Sequence, residues 1–412
     1  MSVRPLKVMI HEITGLRAFA AYLVFIHHFH YIISDGFPLG VKRYLNEFNI
    51  GLPMFFVLAG FSITYRNYDK FALTSKWFFK YMQKRVARIY PVYLLVTLIA
   101  FGWNYFEPAP VVTGGIHPIA AFLLNITFLR GFFDDLKFTG VGQGWSLSVN
   151  MTFYILVPLI FFAIRRWQTI YWQPFVFTAV GLLLVGAFSN VSFYGFFGNN
   201  IYMMLYSFFG RALEFFGGIG IALLVKKRGF SRVTQFNLTY TGFGIILLCV
   251  YLLSILPLPV NHLYRLQSTP GFLINNYIIG AASTMMFLGL ITEKTWLKKI
   301  LASKLFDILG KSSYAFYLIH LGPINNGLHR LMNWLNERVF SFYDRVNLDW
   351  HSPFESDRLN LLYVFILLNL IAIFIFRFIE EPLNNYIRKK DFTFRFFNSG
   401  RKVKADLAEE KV

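Results

Sequence analysis

Thr14 to Ser34 reads TGLRAFAAYLVFIHHFHYIIS, an apolar run of membrane-spanning length that carries Arg17 near its start and His27, His28 and His30 past its middle. About 20 mostly apolar residues are enough to cross a bilayer as a helix. An ionisable side chain inside such a span is costly and marks a functional position by default. Arg17 and His28 are eleven residues apart, about three helical turns, so both point from one helix face. The helical rise between them is roughly 16 Å, about half the hydrocarbon thickness. An arginine near the membrane edge thus lines up with a histidine near the midplane.

The rest of the chain has the same character. Of its 412 residues, 56% are hydrophobic and only 15% charged, against about a quarter charged in soluble domains. Runs of sufficient length predict ten spans near 14–34, 49–65, 88–105, 144–164, 170–190, 200–225, 239–258, 273–292, 312–333 and 359–380. The run 118–131 is short and begins at Pro118, which predicts an interfacial or re-entrant segment. The class is therefore all-α and polytopic. Residues 1–390 form one integral membrane domain, followed by a polar cytoplasmic tail over 391–412.

A net charge of +19 raises the question of nucleic acid. The distribution answers it, because most of the 40 lysines and arginines fall in alternate loops, as the positive-inside rule requires. With ten spans this places both termini in the cytoplasm and predicts no nucleic-acid partner. The first apolar run is too long for a cleavable signal peptide. Cys249 is the sole cysteine, which excludes internal disulfides and cysteine-ligated metals. No metal site is expected.

Four further clusters carry chemistry, each with a plainer reading beside it. Arg85 and Arg88 share a helix face at the inner end of the third span. They are either topogenic charge or a phosphate-binding pair. The polar entry to the fourth span, from Gly142 through Trp145, Ser146, Ser148 and Asn150, is either interhelical glue or a substrate contact. Arg211 and Glu214, three apart in an apolar span, form either a mutual ion pair that packs helices or part of a site. His320, at a depth comparable with His28, is either a satisfied core histidine or a ligand contact.

Taken in order, these pieces resemble the acyltransferase 3 family. The resemblance rests on Leu16-Arg17-Ala18 through His28, on Phe55 to Phe61, and on Arg85-x-x-Arg88-Ile89-Tyr90-Pro91. It continues through Trp145-Ser146-Leu147-Ser148-Val149, Ser313-Tyr314 to His320, and Phe378-Ile379-Glu380-Glu381-Pro382. It implies an integral acyltransferase of the inner (plasma) membrane that O-acylates, most often O-acetylates, a cell-envelope polysaccharide or glycolipid. The donor implied is acyl-CoA, with acetyl-CoA first, as a substrate rather than a resident cofactor. It also implies a stand-alone enzyme without the periplasmic esterase-like domain of some members, working beside glycan-synthesis proteins and membrane lipid. His28 becomes the catalytic residue with Arg17 on its face, and Arg85 and Arg88 hold the donor. Trp145, Ser148, Arg211, Glu214, Tyr314 and His320 are candidate substrate contacts. One position departs from the family pattern, since Asn150 stands where a glutamate is usual. An amide can orient a histidine but adds no charge. Glu214 is a candidate substitute acid, and an altered or inactive copy acting as an assembly partner is the alternative. A transporter of a glycan or lipid-linked intermediate also fits ten spans with buried ionisable groups. No inverted repeat supports it.

Overall fold

The chain is described by a computed structural model covering residues 6–390, apart from 109, 192, 231–235 and 261. The expected 391–412 tail lies outside the described residues. Among those residues there is no strand, only helices and connecting turns. The principal helices are α1 (Leu6–Ile33), α2 (Gly51–Asn67), α3 (Ser75–Phe106), α4 (Trp145–Trp167), α5 (Gln173–Phe188) and α6 (Phe208–Arg228). They continue with α7 (Leu238–Ile255), α8 (Gly280–Thr292), α9 (Lys304–Ile319), α10 (Pro323–Arg345), α11 (Asp357–Ile375) and α12 (Glu381–Lys389). In lipid every backbone group must be satisfied within its own segment, which is why long apolar runs become helices.

Among the described residues, eight helical segments are long and apolar enough to cross a membrane, and they match eight of the ten expected spans. The expected span 170–190 contains the shorter apolar helix α5, of 16 residues. The expected span 312–333 is not one helix. It stops at Ile319, turns at Gly322 with φ of 86°, and restarts with Pro323 at the first position of α10. A left-handed glycine followed by a proline is a strong helix stop and start. The short run near 118 forms a nine-residue helix, Pro118–Ile126, too short to span.

Small residues set the packing. A methyl group added at Gly60 of α2 would collide with the Phe215 carbonyl of α6, and one at Gly218 of α6 with the Val57 carbonyl of α2. These two backbones therefore touch, the usual way apolar helices associate where lipid removes the hydrophobic drive between them. Gly310 lets α9 approach α1 at Thr14 in the same manner. Helix α1 sits between two apolar clusters, giving Phe25 and Phe29 to one and Leu16, Ala20 and Leu23 to the other. This central seat fixes where Arg17 and His28 can point.

Candidate active site

Three histidines in four residues are not equivalent. His27 Nδ1 donates to the Asn46 carbonyl, and His30 Nδ1 donates to the His27 carbonyl at 2.7 Å. A carbonyl only accepts, so both rings are tied to backbone. Their bonds lie beside a break in the helix at Phe29 (φ −110°, ψ 15°). His28 makes no hydrogen bond among the described residues, and its ring lines a large cavity. The sequence treats the three alike; the fold leaves one available.

That cavity has a volume of about 560 Å³, opens to the outside, and is walled by α1, α3, the polar entry to α4 and the loop around Tyr264. Trp103, Trp145, Tyr206 and Tyr264 give it aromatic walls, with Arg211 and Asn275 among its polar groups. Trp145 packs its edge on Tyr206 at 4.9 Å. At the rim, Arg330 of α10 donates two hydrogen bonds to Glu107, both at 2.6 Å. Those bonds hold the Glu107 carboxyl below its ordinary range.

A second cavity of about 140 Å³ lies toward the other end of α1. Arg17, Arg66, Arg85 and Arg88 all line it, together with Asn150, Tyr154 and Tyr314. Arg17 donates to Ser62 Oγ at 3.4 Å, the Arg85 guanidinium lies 5.7 Å from the Tyr81 ring, and Tyr314 donates to the Ile89 carbonyl at 2.7 Å. Glu380 is buried within electrostatic reach of Arg88 and Arg17. Four guanidiniums converging in a low-dielectric space make a site for a multiply charged anion, because each offers a planar fork of donors suited to phosphate oxygens. The two cavities share two wall residues, Leu52 and Tyr317. The Tyr317 hydroxyl is anchored by the Gln143 carbonyl at 3.1 Å and Ser146 Oγ at 2.9 Å.

The expected site residues therefore divide. Arg17, Arg85, Arg88, Asn150 and Tyr314 share the arginine cavity; His28, Trp145 and Arg211 share the histidine cavity. Asn150 donates to the Ser146 carbonyl at 2.9 Å and faces arginines rather than His28. Ser148 lines neither cavity; it is buried against Gly131. Glu214 is fully buried and pairs with Arg211, Oε2 to Nε at 3.1 Å, so it is not the acid of His28. Arg211 also donates to Asn276 Oδ1 at 2.5 Å, on a π-helical turn over Ile274–Ile279. His320 lies behind His28, with ring centroids 5.3 Å apart. Sequence reasoning passed over Arg66, one of many basic residues near the ends of the spans. It also passed over Glu380, quoted only as part of a motif. A cation one helical turn past Ser62 and an acid closing an apolar run were the available signals.

Residues 10–377 match the family model described as an acyltransferase domain. Acyltransferase MdmB of Streptomyces mycarofaciens is 25% identical over a match 364 residues long that covers 80% of this chain and 82% of that protein. O-acetyltransferase OatA of Staphylococcus aureus (strain NCTC 8325 / PS 47) is 24% identical over a match 328 residues long that covers 74% of this chain and 49% of that protein. The chain thus spans about half the length of the Staphylococcus aureus relatives it matches. No solved structure matches it.

Proposed function

The chain belongs to the acyltransferase family, and from that premise we propose that it O-acylates a cell-envelope polysaccharide or glycolipid, drawing acetyl groups from cytoplasmic acetyl-CoA across the plasma membrane. The observation that carries this reading is the pair of cavities. One is lined by four arginines and the other by an untethered histidine, and they meet at Leu52 and Tyr317.

In this reading Arg85 and Arg88, with Arg17 and Arg66, take the phosphates of CoA, and the pantetheine arm runs toward the shared wall. The acceptor enters the histidine cavity, whose aromatic walls and scattered polar groups suit an amphipathic polyol. Neutral His28 removes the proton from the attacking hydroxyl. Its oxygen bonds to the thioester carbonyl carbon, the C–S bond breaks, and the CoA thiolate leaves and is protonated by the imidazolium. The products are an acetyl ester and free CoA.

The test uses purified protein in lipid vesicles with acetyl-CoA labelled in the acetyl group and envelope glycans as acceptors. Label should move to the glycan with wild type and fall at least about 100-fold with His28→Ala, the usual scale for loss of a general base. Undiminished transfer by the variant would remove His28 from the chemistry. Absence of transfer by wild type would overturn the proposal.

A further inference from the structure

His320 presents an observation the scheme above does not use. The residue is fully buried and its Nδ1 lies 2.7 Å from the Tyr317 carbonyl. Since a carbonyl only accepts, Nδ1 carries the hydrogen, and in the neutral ring Nε2 is left as a bare acceptor. That Nε2 is buried and has no hydrogen-bond partner. Orphaned buried acceptors are rare and need a reason. The ring cannot swing away to find a partner, because Phe316 stacks on it with an interplanar angle of 8° and Phe25 packs 6.5 Å off.

A candidate donor is His28. The two ring centroids are 5.3 Å apart. An N–H···N bond of about 2.9 Å with a ring radius of about 1.15 Å at each end spans about 5.2 Å. The rings are thus at the separation of two imidazoles sharing one hydrogen. His28 is free to make that bond, since its neighbours His27 and His30 carry the backbone ties.

We propose that His320 is the positioning residue for His28. Its Nε2 lone pair accepts the His28 N–H, selects the tautomer whose other nitrogen faces the acceptor hydroxyl, and holds the shared hydrogen once His28 has taken a proton. An imidazole thus does what a carboxylate does in a serine-histidine-aspartate arrangement. This accounts for how His28 is oriented while Asn150 and Glu214 lie elsewhere. The inference rests on the reading of His28 as base.

Two variants separate it from a packing role. His320→Leu keeps bulk and removes the acceptor. His320→Gln supplies an amide oxygen near the position of Nε2 that can accept but cannot take a proton. Each is measured for kcat and for the KM of acetyl-CoA beside His28→Ala, with unfolding midpoints recorded. The expected result is a fall in kcat of roughly 100-fold for His320→Leu, recovery to within about tenfold of wild type for His320→Gln, and donor KM within about twofold in both. Equal losses in the two variants, or wild-type kcat in both, would overturn the role of His320. If His28→Ala still abolishes transfer, the base itself stands. Should His320→Leu fail to fold, selective ¹⁵N-histidine spectra of wild type decide the matter. A hydrogen shared between the two rings supports the proposal, and two uncoupled rings overturn it.

Discussion

Replacing Glu214 by glutamine tests whether the buried pair in α6 holds the bundle together. Arg211 and Glu214 are 2% and 0% exposed, with Nε and Oε2 at 3.1 Å. At that separation and an effective dielectric of about 20, two unit charges attract by about 5 kcal/mol. Glutamine keeps the shape and removes the charge. Arg211 would then be a buried cation facing only Asn276 Oδ1 and the Phe56 ring 5.3 Å away. Removing one partner of a buried pair costs about 3–5 kcal/mol, whereas replacing both by apolar residues is close to neutral. Denaturant titration in bicelles should therefore find Glu214→Gln about 3–5 kcal/mol less stable than wild type. The double variant Arg211→Met with Glu214→Leu should regain most of that. A single variant within about 1 kcal/mol of wild type, or a double variant less stable than the single, would refute the ion-pair account. Because Arg211 also lines the histidine cavity, transfer by a stably folded double variant reports separately on any contact with the acceptor.

Three other outcomes follow from the site. Arg85→Gln with Arg88→Gln should raise the KM for acetyl-CoA by roughly 100-fold, since each charge-assisted hydrogen bond contributes about 1.5–3 kcal/mol; an unchanged KM would return both residues to topology signals. Asn150→Glu puts the family's carboxylate among Arg17, Arg85 and Arg88, so it should raise donor KM and change kcat less than about threefold, whereas a kcat gain of tenfold or more would show a catalytic role for position 150. The Glu107–Arg330 contact, whose carboxyl the arginine holds low, should persist where free carboxylates begin to protonate and be lost only as pH falls further; spin labels on the ends of α3 and α10 would report the opening, and separation already at neutral pH would contradict it.

Much of this architecture could be read from residues. The first span was legible because Arg17 and His28 are costly in lipid and share a periodicity, and both line cavities. The end of the ninth expected span was written in Gly322-Pro323, yet apolar length outweighed that punctuation, and the helix break went unread. Asn150 could be numbered but not located, because its neighbours come from α1 and α3, far away in sequence. The availability of His28 among three similar histidines depended on the Asn46 carbonyl and on a bend at Phe29, neither of which has a local pattern. Glu214 was legible in part: the mutual ion pair with Arg211 weighed for it is what the fold contains, while its other reading, a substitute acid for His28, is not. Its partner lies three residues away, within the reach of local spacing.

The wall formed by Leu52 and Tyr317 bears on bioenergetics. A membrane that stores a proton gradient tolerates no continuous water file through its proteins. Under the proposed reaction, two cavities that share the side chains of Leu52 and Tyr317 would let donor and acceptor meet there while those side chains limit a through-going water path. Direct attack at that meeting point would move the acetyl unit without the wholesale rocking that carriers need. On that view, trimming either side chain would be noticed first as a current.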